Sequence, residues 1–282
     1  MNSVNSKAPL TVVILTFNEA MNLPTSVANV MGWAEQVFVL DSHSTDETCA
    51  IAEAAGATVF YRAFDNYAAQ RTHAIRELPI ETEWMLFLDA DEYLTSDLIE
   101  EISRTLSDDK NTHDGFMLKR RLHFMGKWIR HGGYYPTYLL RLFKKEKASC
   151  NREINEHIEV SGSVGYLKND FVDDNKNGFA EWLAKHIRYA QFESTQFGRK
   201  PDLKIDFWRS NHDRKQWVRH KIWNRWMPPF VRPFIYFFWR FFIRLGFLDG
   251  RIGFIYHFMQ GLVLHFMIDV FQFERKFFNR KI

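Results

Sequence analysis

The stretch WMLFLDADE, residues 84–92, decides how this chain is read. An unbroken apolar run enters Asp89, and Asp91 follows two positions later. A short apolar run that ends abruptly in polar residues reads as a strand buried on both faces of a sheet. Asp89 and Asp91 stand two apart at its end, so their side chains can point the same way. Two hard oxygen ligands side by side suit Mg²⁺ or Mn²⁺, ions that keep few protein ligands and take the rest from phosphate and water. A solvated acidic turn that caps the next helix would look the same in isolation, so the surroundings decide.

Upstream, LTVVILTF (10–17), QVFVLD (36–41) and ATVFY (57–61) have the same β-rich, apolar character. Helical patterns fall between the strands at about 20–32, 46–56 and 66–78, with another at 96–107. Asp46 or Thr45 is the expected cap of the second and Ser96 of the last. Strand–helix alternation of this kind predicts an α/β fold with a mostly parallel sheet and right-handed crossovers. In such sheets ligands bind beyond the carboxyl ends of the strands. The first strand ends in Thr16-Phe17-Asn18-Glu19, the second in Asp41 and the fourth in Asp89-Ala90-Asp91-Glu92. Carboxylates gathered at one sheet edge repel each other unless a cation or a donor-rich ligand joins them. The chain has no GxGxxG after the first strand and no GxxxxGK[ST], which argues against a dinucleotide dehydrogenase and a P-loop NTPase.

Taken in order, VVILTFNEAMNL, VFVLDSHSTDET and MLFLDADE resemble the three signature segments of family 2 inverting glycosyltransferases, which have the GT-A fold. The resemblance covers roughly the first 120 residues. RLFKK (141–145), INEHIEV (154–160), KHIRY (185–189) and GFLDGRIGF (246–254) further resemble a subgroup that includes lipopolysaccharide-core β-1,4-glucosyltransferases and related cell-envelope enzymes. The resemblance implies a UDP-sugar donor, with Thr16, Asn18, Glu19 and Asp41 at the nucleotide. It implies Arg71 near the diphosphate or the aspartate cluster, with Arg141 assisting. Asp89 would contact ribose or metal, and Asp91 would ligate the metal directly. Two segments depart from the family pattern. Asp41-Ser42-His43-Ser44 stands where many members have Asp-Asp-Gly-Ser, and Glu156, between Asn155 and His157, is a single acid where a pair is usual. Glu156 is the expected general base for the acceptor hydroxyl, with Asp173 and Asp174 in reserve. Inversion of configuration follows from the resemblance alone.

Charge divides the chain. Residues 1–112 hold 6 Lys/Arg against 18 Asp/Glu, whereas residues 113–282 hold 31 against 16. An acidic front and a basic rear point to two jobs. Residues 199–225 carry 9 Lys/Arg against 3 Asp with Trp208, Trp217 and Trp223 interleaved, and 226–282 contains 14 of the 27 phenylalanines. The uncharged stretch 252–268 spans 17 residues, short of the roughly 20 that a spanning helix needs. Gly253, His257, Gly261, His265 and Asp269 recur every four residues, as do Arg232, Tyr236, Arg240 and Arg244. Helices of this kind read as lying in the bilayer interface, with the basic residues drawn to anionic lipid. No recognised nucleic-acid module accompanies the basic run, and the phenylalanine content favours lipid over nucleic acid.

These readings assign residues 1–198 to a GT-A catalytic domain, with a nucleotide-sugar half (1–112) and an acceptor half (113–198). Residues 199–282 form a helical membrane-interface region. The expected enzyme transfers a hexose to a lipid-linked saccharide at the cytoplasmic face of the cell membrane, as a peripheral or monotopic protein. A leader is not expected at MNSVNSKAPL, and Cys49 and Cys150 are too few for a disulfide framework. The rivals are a nucleotidyltransferase of related sheet topology and a non-catalytic sugar- or lipid-binding protein.

Overall fold

A computed structural model describes residues 7–150, 158–196 and 227–278. The chain forms two compact units, Met1–Trp128 with Tyr135–Asn177, and Ile129–Tyr134 with Gly178–Ile282.

The first unit is built on one large sheet. Its strands are β1 (Ala8–Thr16), β2 (Ala34–Asp41), β3 (Thr58–Tyr61), β4 (Trp84–Asp89), β5 (Glu92–Leu94), β6 (Gly115–Phe124), β7 (Lys127–Trp128), β8 (Thr137–Lys144) and β11 (Val164–Asp173). Their order is β3-β2-β1-β4-β8-β6-β11-β5, with β7 paired to β6. The acidic front supplies the parallel run β3-β2-β1-β4. β8 then enters antiparallel between β4 and β6, and β11 lies parallel to β6. This is the expected α/β, GT-A-like arrangement, a mostly parallel sheet with helices around it. A separate hairpin pairs β9 (Ala148–Cys150) with β10 (Ile158–Val160).

Alternation along the strands sorts the helices onto two faces. Val12, Ile14, Leu86 and Leu88 face one core with Leu23 and Val27 of α1 (Leu23–Val30), Ala52 of α2 (Thr48–Ala54), and Leu98 and Ile102 of α4 (Ser96–Leu106). Val13, Leu40, Met85 and Phe87 face the other with Ala74 and Ile75 of α3 (Tyr67–Glu77) and Ile158 of the hairpin. The four expected strands and four expected helices are all present to within a few residues. The caps differ. Thr95, not Ser96, caps α4 by accepting from the Leu98 amide, because its extended backbone turns the hydroxyl back over the first turn. Asp46 accepts from the Thr48 amide just ahead of α2, whose first flanking residue is Glu47.

The second unit is helical. Helix α5 (Gly178–Gln196), expected at the end of the catalytic domain, belongs here because Ala190 packs on Leu264 and Ile268. A second segment runs from Arg232 to Ile243, and a third from Gly246 to Phe278. Each contains a π-helical turn, at Trp239–Ile243 and Phe258–Val263 respectively. The 33-residue stretch Gly246–Phe278 is long and apolar enough to cross a membrane by length and composition.

Among the described residues of this unit, buried charged groups accompany the small apolar cluster, and many aromatic side chains are exposed. Arg232 and Asp269 form a buried ion pair, and Asp269 also accepts from the Phe230 amide at 2.8 Å. Asp249, buried, accepts from the His131 amide at 3.0 Å and from His131 Nδ1 at 2.7 Å, and lies 3.4 Å from buried His257. The Arg240 guanidinium sits 3.6 Å from the Tyr134 ring centroid. Of the regular stripe in the sequence, Gly253, His257, Gly261 and Asp269 are buried and His265 is half-buried, while Phe234, Phe238, Trp239, Phe242, Phe254, Phe258 and Phe273 are exposed. Gly132 has φ +67°, and a Cβ there would lie 2.1 Å from His257, so this turn admits glycine alone.

Candidate active site

The carboxyl ends of β1, β2 and β4 lie at one level, with Thr16 opposite Asp41 and Leu15 opposite Asp89. Asp41 is fully buried, and its oxygens accept from Thr16 Oγ1 (2.7 Å), Ser44 Oγ (2.6 Å) and the Ser44 amide (2.7 Å). Asn18, at φ +54°, donates its amide to Ser44 Oγ and accepts from the Thr45 amide, both at 2.8 Å. Glu19 donates its amide to Thr48 Oγ1 at 2.8 Å and takes the Asn22 side-chain amide at 2.6 Å. The four expected nucleotide residues are thus brought together, with Asp41 as the tie between two loops. Ser42 joins them by accepting from Gln70 of α3 at 2.6 Å.

Beside this stands a compact charge cluster. Arg141 enters from β8 and donates to Asp89 Oδ2 at 2.7 Å and to Glu92. Arg71 of α3 lies 3.5 Å from the other Asp89 oxygen, and Glu92 accepts from the Asp89 amide at 3.0 Å. Arg71, Arg141 and Glu92 are buried, and Asp89 is partly exposed. Burial raises the Glu92 pKa well above the usual carboxylate range, with Arg141 opposing that shift and Asp89 and Asp173 adding to it. Burial works against the Arg141 charge, but Asp89 and Glu92 outweigh it and raise its pKa. Arg141 Nε is a buried donor without a hydrogen-bond partner among the described residues.

Asp91 is held differently. It is partly exposed, and its Oδ2 accepts from the Asn175 side-chain amide at 2.8 Å. The segment Asp173-Asp174-Asn175-Lys176-Asn177 closes over the strand ends. The Asp174 amide donates to Asp91 O (2.9 Å), the Lys176 amide to Asn22 Oδ1 (2.8 Å), and Lys176 Nζ to Thr25 Oγ1 (2.6 Å). Asn177 reaches Glu19 at 3.4 Å. Sequence reasoning assigned no role to Asn175, Asn177, Lys176, Gln70 or Glu92. The only signal was a polar run directly after a strand.

No cluster of three His, Cys, Asp or Glu fit to hold a metal occurs among the described residues. An ion that draws most of its shell from phosphate and water needs no such cluster. The half-exposed Asp91 fits as its carboxylate ligand. Both oxygens of Asp89, the other expected metal ligand, face guanidinium groups.

On the acceptor side, Asp173 pairs with Arg120 at 3.3 Å. Glu156 and His157 lie outside the described residues, as does the basic run 199–225. The flanks of the Glu156 loop are described. Cys150 pairs with Ile158, and the Cys150 carbonyl accepts from Thr72, the neighbour of Arg71, at 3.3 Å.

The chain is 26% identical over 255 residues to an uncharacterized glycosyltransferase of Rickettsia felis, spanning 86% of this chain and 82% of that protein. It is 38% identical over 145 residues to another of Rickettsia bellii, spanning 50% and 48%. A mannosyltransferase of Pyrobaculum calidifontis, solved with GDP-Man and Mn²⁺, is similar with a TM-score of 0.49 and 18% identity, over 78% of this chain and 72% of that one. Residues 11–173, more than half of the 282, match the family described as glycosyl transferase family 2. That span takes in both loops at Asp41, the arginine–carboxylate cluster and Asp91, and the chain belongs to glycosyl transferase family 2.

Proposed function

We propose that this glycosyltransferase moves a sugar, with inversion, from a UDP-sugar to a hydroxyl of a lipid-linked saccharide at the cytoplasmic membrane face. Lipopolysaccharide core and polyprenyl-linked oligosaccharide are the acceptor classes. The observation that carries the reading is the convergence of Asp41, the Arg71–Asp89–Arg141–Glu92 cluster and Asp91 on one sheet edge.

In this reading Thr16, Asn18, Glu19 and Asp41 receive the nucleoside, and the Ser44 hydroxyl yields its place on Asp41 to the base. Arg71 faces the diphosphate, and Arg141 holds Asp89 so that Arg71 keeps its orientation. A divalent cation on Asp91, Mg²⁺ or Mn²⁺, supplies charge neutralisation of the departing diphosphate. Glu156 takes the acceptor proton, and its hairpin is anchored beside α3 through Thr72. UDP release is expected from one member of a UDP-sugar panel with Mn²⁺ or Mg²⁺, and EDTA is expected to abolish it. Equal release in EDTA would remove the metal from the mechanism. Silence with every donor, lipid extract included, would return the chain to the binding-protein reading.

The membrane part of the proposal is supported by the many exposed aromatic side chains of the helical unit. Ion pairs and glycines lie inside while phenylalanines face out, which is the arrangement that lipid favours and water penalises. The full chain is expected to float with vesicles containing phosphatidylglycerol. Replacing exposed Phe238, Trp239 and Phe242 together with serine is expected to leave it at the bottom of the gradient. Flotation unaffected by the triple change would move the contact elsewhere.

A further inference from the structure

A second polar cluster lies in the catalytic unit away from the nucleotide residues, and the mechanism above leaves it unused. Lys119 and Arg121 stand two apart on β6 and project to one face of the sheet. Asp170 on β11, 7% exposed, faces both. It accepts from Arg121 at 2.7 Å and from the Tyr135 hydroxyl at 3.0 Å, and lies 3.6 Å from Lys119 Nζ. One carboxylate therefore meets two cations. Burial opposes the Lys119 charge, but the Tyr135 hydroxyl and Asp170 outweigh it and raise its pKa, so the amine stays protonated. Arg121 Nε is buried and has no hydrogen-bond partner among the described residues.

Aromatic rings border these cations. The Arg121 guanidinium lies 4.5 Å from the Trp128 ring centroid, and Trp128 meets Tyr135 edge to face at 5.0 Å. Tyr138 sits opposite Lys119 across β6 and β8, and its ring meets Tyr166 at 5.1 Å. Tyr166 is 65% exposed, near the start of a strand whose later apolar residues Leu167, Phe171 and Val172 are buried. An ion cluster that served only to bind β6 to β11 would need neither the second cation nor an exposed tyrosine.

Position adds the third argument. The sheet face that carries Met85 and Phe87 also carries Asp89, and across the sheet it carries Lys119, Tyr138 and Asp170. β8 alone separates β4 from β6, so the cluster stands two strand spacings from Asp89, roughly 10 Å. The same face receives the hairpin that flanks Glu156.

We propose that this patch binds the acceptor, and that the acceptor is an anionic saccharide, carrying a phosphate or carboxylate near the hydroxyl to be glycosylated. The inference rests on the transferase reading and gives its acceptor a chemical class. Lys119 and Arg121 hold the anion, and Tyr138 with Tyr166 supplies a ring surface for the sugar's C–H face.

The test is calorimetric titration of the full-length chain with glucose 6-phosphate, glucuronate, glucose and inorganic phosphate, with UDP and Mn²⁺ titrated in parallel. At least one anionic sugar is expected to bind about tenfold tighter than glucose, the scale of one charge-assisted contact. Which of the two binds separates phosphate from carboxylate. Arg121→Gln is expected to lose that binding about tenfold. Tyr166→Ala, at an exposed position, is expected to weaken the sugar and leave inorganic phosphate unchanged. UDP binding is expected to persist in both variants. Equal binding of glucose, or inorganic phosphate binding as tightly as glucose 6-phosphate with no effect of Tyr166→Ala, would overturn the proposal. Wild-type chain that binds UDP but neither anionic sugar sinks this inference alone, whereas wild-type chain that binds no UDP sinks the transferase reading beneath it.

Discussion

Arg141→Ala is expected to destabilise the fold by about 3–5 kcal/mol, the range for removing one partner of a buried ion pair. Arg141 and Glu92 are both buried, and Arg141 is the cation that Glu92 touches. The loss has a pH signature. The folded-state pKa of Glu92 lies well above its ordinary value of 4.5, so folding takes up a proton at this site. The stability from that proton is complete below the unfolded-state pKa and disappears as pH rises through the folded-state one. Arg141 opposes the upward shift, and its removal lifts the Glu92 pKa further. The variant's deficit is therefore expected to be larger at about pH 8 than at about pH 5. Adding Glu92→Gln should recover part of it, as coupled partners do. Urea denaturation of the three chains at both pH values measures this. A deficit independent of pH and of Glu92→Gln would show that packing, not charge, is what Arg141 contributes.

Asp91→Asn is expected to reduce transfer by about 10²–10³-fold, the scale of losing a charge that stabilises a developing anion. The folded structure has little reason to notice. Asp91 is partly exposed, and asparagine keeps an oxygen for the Asn175 amide. Initial rates of UDP release and the thermal midpoint separate the two effects. A variant with near-normal rates would remove Asp91 from the site, and a large fall in the midpoint would make its role structural.

The parallel half of the fold was legible because both its signals are local. Each buried strand is an unbroken apolar run, and each crossover helix has its own periodicity. The carboxyl-edge rule then places Thr16, Asp41 and Asp89 side by side from the sequence alone. The acceptor half was not legible in the same way. β8 lies beside β4 because of pairings between residues more than fifty positions apart, and no periodicity encodes them. In the polar run 173–177 the sequence singles out Asp173 and Asp174 as reserve bases but not Asn175, whose partner Asp91 lies 84 residues away. The stripe Gly253–Asp269 was visible as a repeat, but its inward direction depends on Arg232 and His131, which only tertiary contacts bring to it.

The same topology bears on how the protein is made. Arg141 follows Glu92 by 49 residues and Asp89 by 52. At about 5–20 residues per second, a ribosome takes roughly 3–10 s to cover that interval. During those seconds the emerging front segment, with 18 acidic residues against 6 basic ones, has its β4 edge bare and its buried glutamate without a counter-charge. The parallel run of the sheet therefore emerges before the strand that covers its β4 edge. That edge is covered only when residues 137–144 leave the exit tunnel, so a pause or truncation before that point yields an open, anionic sheet edge exposed to chaperones and proteases.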